Sequence, residues 1–236
     1  MSKAPSSRPA SRDRWLDAFP VDEAQRAAKF VYDTWSELAA KAPKTFNSRQ
    51  RENHITERLG THLPTVSISK AKLLGWWSYE EPAGESEIVD EELKVRHRIR
   101  KDIVYKSNAG RVRVELIFEF KKLEAKTTSC KIYQGEKGMR RFVDGNYAKG
   151  LPLALMVGML IGDGDACVQT LRRSLLSSAA KADLRMVSNG GGALLREPSV
   201  VFPGVAHFDT EHNRPAAIAP PHGTMLLSHM FVRLPG

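Results

Sequence analysis

The spacing of apolar residues changes period several times along the chain. From Trp15 to Lys41, Ala27, Phe30, Val31, Trp35, Leu38 and Ala39 recur at intervals of three and four, the signature of one helix face. Pro20 followed by Asp22 and Glu23 starts the main helix there. Asn47 or Ser48 is placed to cap a second helix over 49–63, which Gly60 is expected to weaken or end. VSISKAKLLGWW (66–77) fits strand and helix alike, and the acidic EEPAGESEIVDEE (80–92) reads as a loop.

A period of two follows. VRHRIRKDIVYK (95–106) alternates through Val95, His97 and Ile99, SNAG (107–110) is a hairpin turn signal, and RVRVELIFEFKKL (111–123) returns as the longest predicted strand. LPLALMVGMLI (151–161) belongs to the core, and GDGDACVQTLRRSLLSSAAKADL (162–184) reads as a capped amphipathic helix with Asp163 or Asp165 as the cap. NGGGALL (189–195) is a loop without the Lys-Ser/Thr of a phosphate loop. SVVFPGVAHFD (199–209) and TMLLSHMFVRL (224–234) are late strands on either side of a Pro-rich connection. This order predicts an α/β (α+β) fold, a central mixed β-sheet flanked by helices. Residues 14–236 form a single domain behind a Ser-, Pro- and Arg-rich tail, 1–13, expected to be disordered.

The 236 residues suffice for one large core, and 42% apolar with 27% charged residues excludes a disordered chain. Cys130 and Cys167 give neither a disulfide framework nor a paired Cys metal knuckle. The longest apolar run, 151–162, is about half what a membrane crossing needs. MSKAPSSRPASRDRW lacks the apolar stretch of a signal peptide, so a cytoplasmic protein without membrane contact is expected. The net charge of +9 is concentrated: residues 93–141 hold fifteen Lys or Arg against five Asp or Glu, a balance of +10. Such a zone attracts polyanions and makes nucleic acid the first partner to consider; a merely solvated basic face is the plain alternative.

Inside that zone, VELIFEFKK (114–122) ends an apolar strand with Glu119 and Lys121. Strand residues two apart share a face, so a carboxylate and an ammonium stand together. The hairpin sets Asp102 on the neighbouring strand. Carboxylates from two adjacent strands can supply hard oxygen ligands to a divalent cation that polarises a phosphodiester and activates water. A lysine beside them can stabilise developing negative charge or orient the water. A surface salt bridge is the competing explanation. A second Glu-x-Lys, Glu124 and Lys126, lies in a charged segment instead of closing an apolar strand, so the first copy is preferred.

Through RKDIVY (100–105), LIFEFKK (116–122) and their spacing, the chain resembles the PD-(D/E)XK nucleases, the restriction-endonuclease-like superfamily, over about residues 47–165. Lys101 stands where the family motif has Pro. The resemblance implies a restriction-endonuclease-like fold and a Mg²⁺ cofactor, with Mn²⁺ as substitute. It makes Asp102 and Glu119 metal ligands and catalytic residues, with Lys121 as the catalytic lysine. It also implies an acid on the preceding helix, where RENHITERL offers Glu52, with Glu57 as the alternative. YQGEKGMRRFVDGNYAKG (133–150) is similar to the helix after Glu-x-Lys in prokaryotic members, including nucleases of anti-phage systems. There Gln134 is expected to face the site, and Arg140, Arg141 and Lys122 to hold the nucleic-acid backbone, while Tyr133, Met139, Phe142 and Tyr147 read as core.

The expectation is a metal-dependent DNA endonuclease of anti-phage defence, controlled by a partner subunit of a defence complex or by homo-oligomerisation. The alternatives are a catalytically silent nucleic-acid-binding or scaffolding subunit with a nuclease-like fold, and a basic protein-interaction domain. HFDTEHNR (207–214) offers His207, Asp209, Glu211 and His212 to zinc, but on a strand His212 points away from the other three. A polar strand end, with His212 and Arg214 at the rim of a groove, is the preferred reading there.

Overall fold

The computed structural model describes residues 14–90, 92–110 and 112–236; the predicted tail, 1–13, lies outside them. Three helices come first: α1 (Arg14–Ala18), α2 (Val21–Lys41) and α3 (Glu52–Ala71). β1 (Trp76–Val89), β2 (Glu92–Ser107) and β3 (Val114–Leu123) follow, and α4 (Thr127–Gln134) and α5 (Met139–Val143) lead to β4 (Leu153–Leu160). The rest is α6 (Gly164–Leu175), α7 (Ser178–Asp183), the short β5 (Met186–Val187) and β6 (Leu195–Arg196), β7 (Ala206–Asn213) and β8 (Thr224–Arg233). All strands join one mixed sheet, ordered β1-β2-β3-β4-β8-β7-β5, with β6 paired to β7. β4 runs parallel to β3 and to β8, and the other pairs are antiparallel. The expected central mixed sheet flanked by helices is observed. Among the described residues no helix is long and apolar enough to cross a membrane.

Alternation along β3 builds two cores. Leu116, Phe118 and Phe120 join Trp35 of α2 and Ile55, Leu59 and Leu63 of α3 on one face. Ile117 and Leu123 join Tyr133, Phe142, Cys167 and Leu171 from α4, α5 and α6 on the other. Glu119 and Lys121 have the parity of Ile117 and Leu123, so they interrupt an apolar face. β4 is buried along its whole length, as a central parallel strand with helices over both faces must be.

β2 pairs with β3 only from Ile103 to Ser107, whereas it pairs with β1 along nearly its whole length. β2 and β3 therefore part at Asp102. Across from Asp102, β1 is irregular too: Glu80 takes a positive φ of 48° between the paired Tyr79 and Glu81. Here the sheet opens and backbone groups need other partners.

Several predicted elements differ. The ambiguous 66–77 is divided, with α3 ending at Ala71, Lys72 left-handed at φ 50°, and β1 beginning at Trp76. Gly60 does not end α3; a Cβ there would lie 2.8 Å from Tyr79 Cβ, so the glycine serves close packing against β1. Of the acidic segment 80–92, residues 80–89 and 92 are strand instead of loop. Its Glu81 finds Lys106 and, at 3.5 Å, Lys101 on β2, so the charges that read as loop are matched across the pair. The amphipathic helix after β4 is two helices, the second capped by Ser177, and Asp163 caps the first by accepting from the N–H groups of Asp165 and Ala166.

The late strand is displaced. Only from Ala206 is the chain extended, and Ser199 and Val200 are tied to Asp209 by hydrogen bonds of 2.7 and 2.6 Å. HFDTEHN thus runs inside the sheet, and the expected groove rim is absent. His212 is fully buried, and Arg214 is buried with its guanidinium on the carbonyls of Ala148 (2.7 Å) and Tyr147 (3.2 Å).

Candidate active site

Where β2 leaves β3, the Asp102 carboxylate takes over the ladder's role and accepts the Phe120 N–H at 2.9 Å. On β3, Glu119 is fully buried and Lys121 is 6% exposed. Lys121 Nζ lies 2.9 Å from Glu119 Oε1 and 2.7 Å from Glu52 Oε1, and it donates to the Phe120 carbonyl at 2.6 Å. Glu52, the first residue of α3, also accepts the Lys122 N–H at 3.0 Å through its other oxygen. From α5, Arg141 Nη1 reaches Glu119 Oε1 at 3.0 Å and the Tyr147 hydroxyl at 2.6 Å, with the guanidinium 5.1 Å from the centre of the Tyr147 ring. Tyr147 in turn donates to the Arg100 carbonyl. Glu52, Arg100, Asp102, Lys121, Ile132, Lys137 and Arg141 line a cavity of about 430 Å³. Glu119 lies behind this wall, covered by Lys121 and Arg141.

The electrostatics follow from that arrangement. Burial, then the neighbouring Asp102 charge, push the Glu119 carboxyl up to about 8, although Lys121 and Arg141 oppose the shift. Burial also raises Asp102, partly offset by Lys121 and by the Phe120 N–H. Burial works against the Lys121 ammonium, but Glu119, Glu52 and Asp102 together outweigh it and raise its pKa, so it remains protonated at neutral pH. Both cations converge on Glu119 Oε1, while Oε2 is buried without a hydrogen-bond partner. Below about pH 8 Glu119 holds a proton and two carboxylates face two cations; with Glu119 ionised the network is one cation short, and its partnerless Oε2 is where a further positive charge fits. A hard divalent ion suits these donors: Asp102 and Glu119 offer carboxylate oxygens from adjacent strands. Among the described residues no group of three or more His, Cys, Asp or Glu is placed to hold a metal, so substrate oxygens and water would complete its shell.

Five predicted residues, Glu52, Asp102, Glu119, Lys121 and Arg141, are therefore brought together. Glu124 pairs with Lys126 on the surface, and neither lines the cavity. Three of the predicted nucleic-acid contacts stand elsewhere. Gln134 is directed away from the cavity: it is 9% exposed, accepts the Ser174 hydroxyl at 3.0 Å and borders a separate cleft with Lys131 and Arg173. Lys122 Nζ donates to the carbonyls of Ser48 and Gln50 at 2.6 and 2.5 Å, tying β3 to the turn before α3. Arg140 is held by Asp144 at 3.1 Å and Asp183 at 3.6 Å.

Tyr147, Ile132 and Lys137 are site components that the residue pattern did not single out. Tyr147 reads as core and is 1% exposed; its polar end alone belongs to the site. The chain matches no known family profile, no curated protein and no solved structure.

Proposed function

We propose that the protein is a Mg²⁺-dependent endonuclease acting on DNA, of the PD-(D/E)XK kind. The observation that carries this reading is the buried, partnerless Glu119 Oε2, beside Asp102 and behind a lysine held cationic by three carboxylates. A site that is one cation short once Glu119 is ionised, opening on a cavity with further basic groups, suits a divalent ion and a phosphodiester.

Asp102 and Glu119 would hold the ion, which when bound polarises the phosphodiester and lowers the pKa of the attacking water. The carboxylates around Lys121 favour its ammonium form. Its role is to donate: it orients the water or stabilises the charge that develops on the phosphate. Glu52 fixes the ammonium by one oxygen and the β3 backbone by the other, so α3 sets the position of the catalytic lysine. One such site cuts one strand, so cutting both requires a second copy or a second binding event. The family resemblance adds the setting, anti-phage defence under control of a partner subunit or of self-association.

Incubation of supercoiled plasmid with the protein in Mg²⁺, Mn²⁺ or EDTA tests the reading. Nicking is expected with either metal and not in EDTA; Lys121→Ala should lower it by about 10² or more, and Glu124→Ala should leave it unchanged. Loss in Glu124→Ala with retention in Lys121→Ala would sink the assigned site. No nicking by wild type, with the metal still bound, would put the silent-subunit reading in its place.

A further inference from the structure

Arg141 makes both of its side-chain hydrogen bonds through one nitrogen. Nη1 carries two hydrogens, one directed at Glu119 Oε1 (3.0 Å) and one at the Tyr147 hydroxyl (2.6 Å). Nε and Nη2 have no protein partner among the described residues, and neither is a buried orphan. The residue lines the 430 Å³ cavity. Its unused edge is thus a planar pair of donors, the geometry that takes two oxygens of a phosphate at once.

What fixes that edge is Tyr147. Its hydroxyl hydrogen is committed to the Arg100 carbonyl, two residues before Asp102, so only a lone pair is available to Arg141. Its ring lies under the guanidinium at 5.1 Å and packs edge-on against Phe142 at 5.5 Å. The tyrosine therefore joins α5 to β2 beside Asp102 and holds the guanidinium in one plane.

We infer that Arg141 binds two oxygens of the phosphodiester through Nε and Nη2, and that Tyr147 is the positioning residue that aims it. This rests on the nuclease reading of the same cavity and adds to it the group that grips the phosphate. A charge argument predicts an unusual pair of signs. With Glu52, Asp102 and Glu119 ionised against Lys121 and Arg141, the network carries one net negative charge. A divalent ion turns this to one positive charge, matched to one phosphodiester. Removing the Arg141 charge should help the metal and hinder the DNA.

The experiment measures Mn²⁺ affinity, affinity for a short duplex in Ca²⁺, and kcat with KM in Mg²⁺, on full-length protein whose thermal melt is checked for each variant. Arg141→Gln is expected to bind Mn²⁺ several-fold more tightly and DNA at least ten-fold more weakly. Arg141→Lys should keep wild-type Mn²⁺ affinity and still lose most of the DNA affinity, because lysine lacks the second donor edge. Tyr147→Phe should leave Mn²⁺ affinity within about two-fold and lower DNA affinity and kcat together, by roughly five-fold or more. Weaker Mn²⁺ binding in Arg141→Gln would make Arg141 a support for Glu119 and overturn the proposal. Wild-type DNA affinity and kcat in Tyr147→Phe, with Mn²⁺ bound by wild type, would overturn it alone. Wild type that binds no Mn²⁺ and cuts nothing would overturn the nuclease reading and this inference together.

Discussion

At Glu119 two cations meet one carboxylate oxygen while the other oxygen, equally buried, has none. Burial makes the ionised form costly enough to push the pKa to about 8. A metal bound only by the folded chain must raise its stability, by about 2.7 kcal/mol when Mg²⁺ stands at 100 times its Kd. For a chain of this length that corresponds to a rise in Tm of about 5–10 °C. Glu119→Gln keeps the shape and the acceptor for Lys121 and Arg141 but removes the anionic ligand, so the Mg²⁺-dependent rise should vanish. Differential scanning calorimetry with and without Mg²⁺ checks this; an equal rise in the variant would place the ion elsewhere. At this scale Glu119 and Lys121 were legible from strand parity and Asp102 from the hairpin, whereas Glu52, on a helix, came only from the family resemblance, with Glu57 as its alternative. Tyr147 was not: a tyrosine among apolar residues reads as core, and nothing in the spacing places its hydroxyl against a guanidinium six residues away. Gln134 was misplaced because the turn-by-turn direction of the eight-residue α4 is set by its packing on β3 and α6, which no local pattern states.

Among the elements, β7, β8 and α4 are joined by a buried polar chain. His212 Nδ1–H donates to the Leu184 carbonyl at 2.7 Å, and the Thr210 hydroxyl donates to His212 Nε2 at 2.7 Å. Thr210 then accepts from His229 Nε2–H at 2.9 Å, and His229 Nδ1 accepts the Tyr133 hydroxyl at 3.0 Å. One set of tautomers satisfies every member, and it requires both imidazoles neutral. Burial depresses His212 from 6.5 to about 4, against the pull of the Leu184 carbonyl, and depresses His229 further with help from His212. In the unfolded chain both take up protons near 6.5, so their stabilisation is complete above that pH and is lost as pH falls towards 4. The loss is about 1.4 kcal/mol per pH unit for each imidazole. His212→Gln removes one of the two, so its stability deficit against wild type should shrink by about 2 kcal/mol between pH 7 and pH 5. Urea denaturation at the two pH values measures it; a constant deficit would mean that His212 is already protonated in the folded state. HFDTEHNR advertised chemistry in sequence, yet its polar groups meet structural partners: Asp209 meets Ser199 and Val200, Glu211 meets Arg196 and Thr224, His212 meets Leu184 and Thr210, and Arg214 meets the carbonyls of Ala148 and Tyr147. α2 was readable from period and the β2–β3 hairpin from period and its turn, whereas α3 runs on past Gly60, the helix after β4 is two, and the strand at 80–89 was hidden because its counter-charges lie on β2.

Over the whole molecule, the basic stretch 93–141 gave the strongest argument for nucleic acid, and folding spends much of it internally. Arg100 pairs with Glu80, Lys101 with Glu81 and Glu115, Lys106 with Glu81, and Arg113 with Glu115. Lys121 and Arg141 meet Glu119, Lys126 meets Glu124, Arg140 meets Asp144 and Asp183, and Lys122 is held by carbonyls. Several of these acids, Glu80, Glu81, Asp144 and Asp183, come from outside the stretch, which is why counting within it overstated the free charge. Lys131 and Lys137 have no carboxylate partner among the described residues, and Arg141 keeps one free edge. Each phosphate neutralised on duplex DNA contributes about −0.9 to the slope of log K against log salt. Lys131, Lys137 and the Arg141 edge together would contribute about −3 to that slope, far shallower than a balance of +10 would suggest. Fluorescence anisotropy of a labelled duplex in Ca²⁺, across a series of salt concentrations, measures that slope. Lys137→Ala should flatten it by about one while weakening binding to every sequence alike, since a phosphate contact reads no bases. A wild-type slope of about −5 or steeper would instead mean that basic groups beyond these three take part in binding.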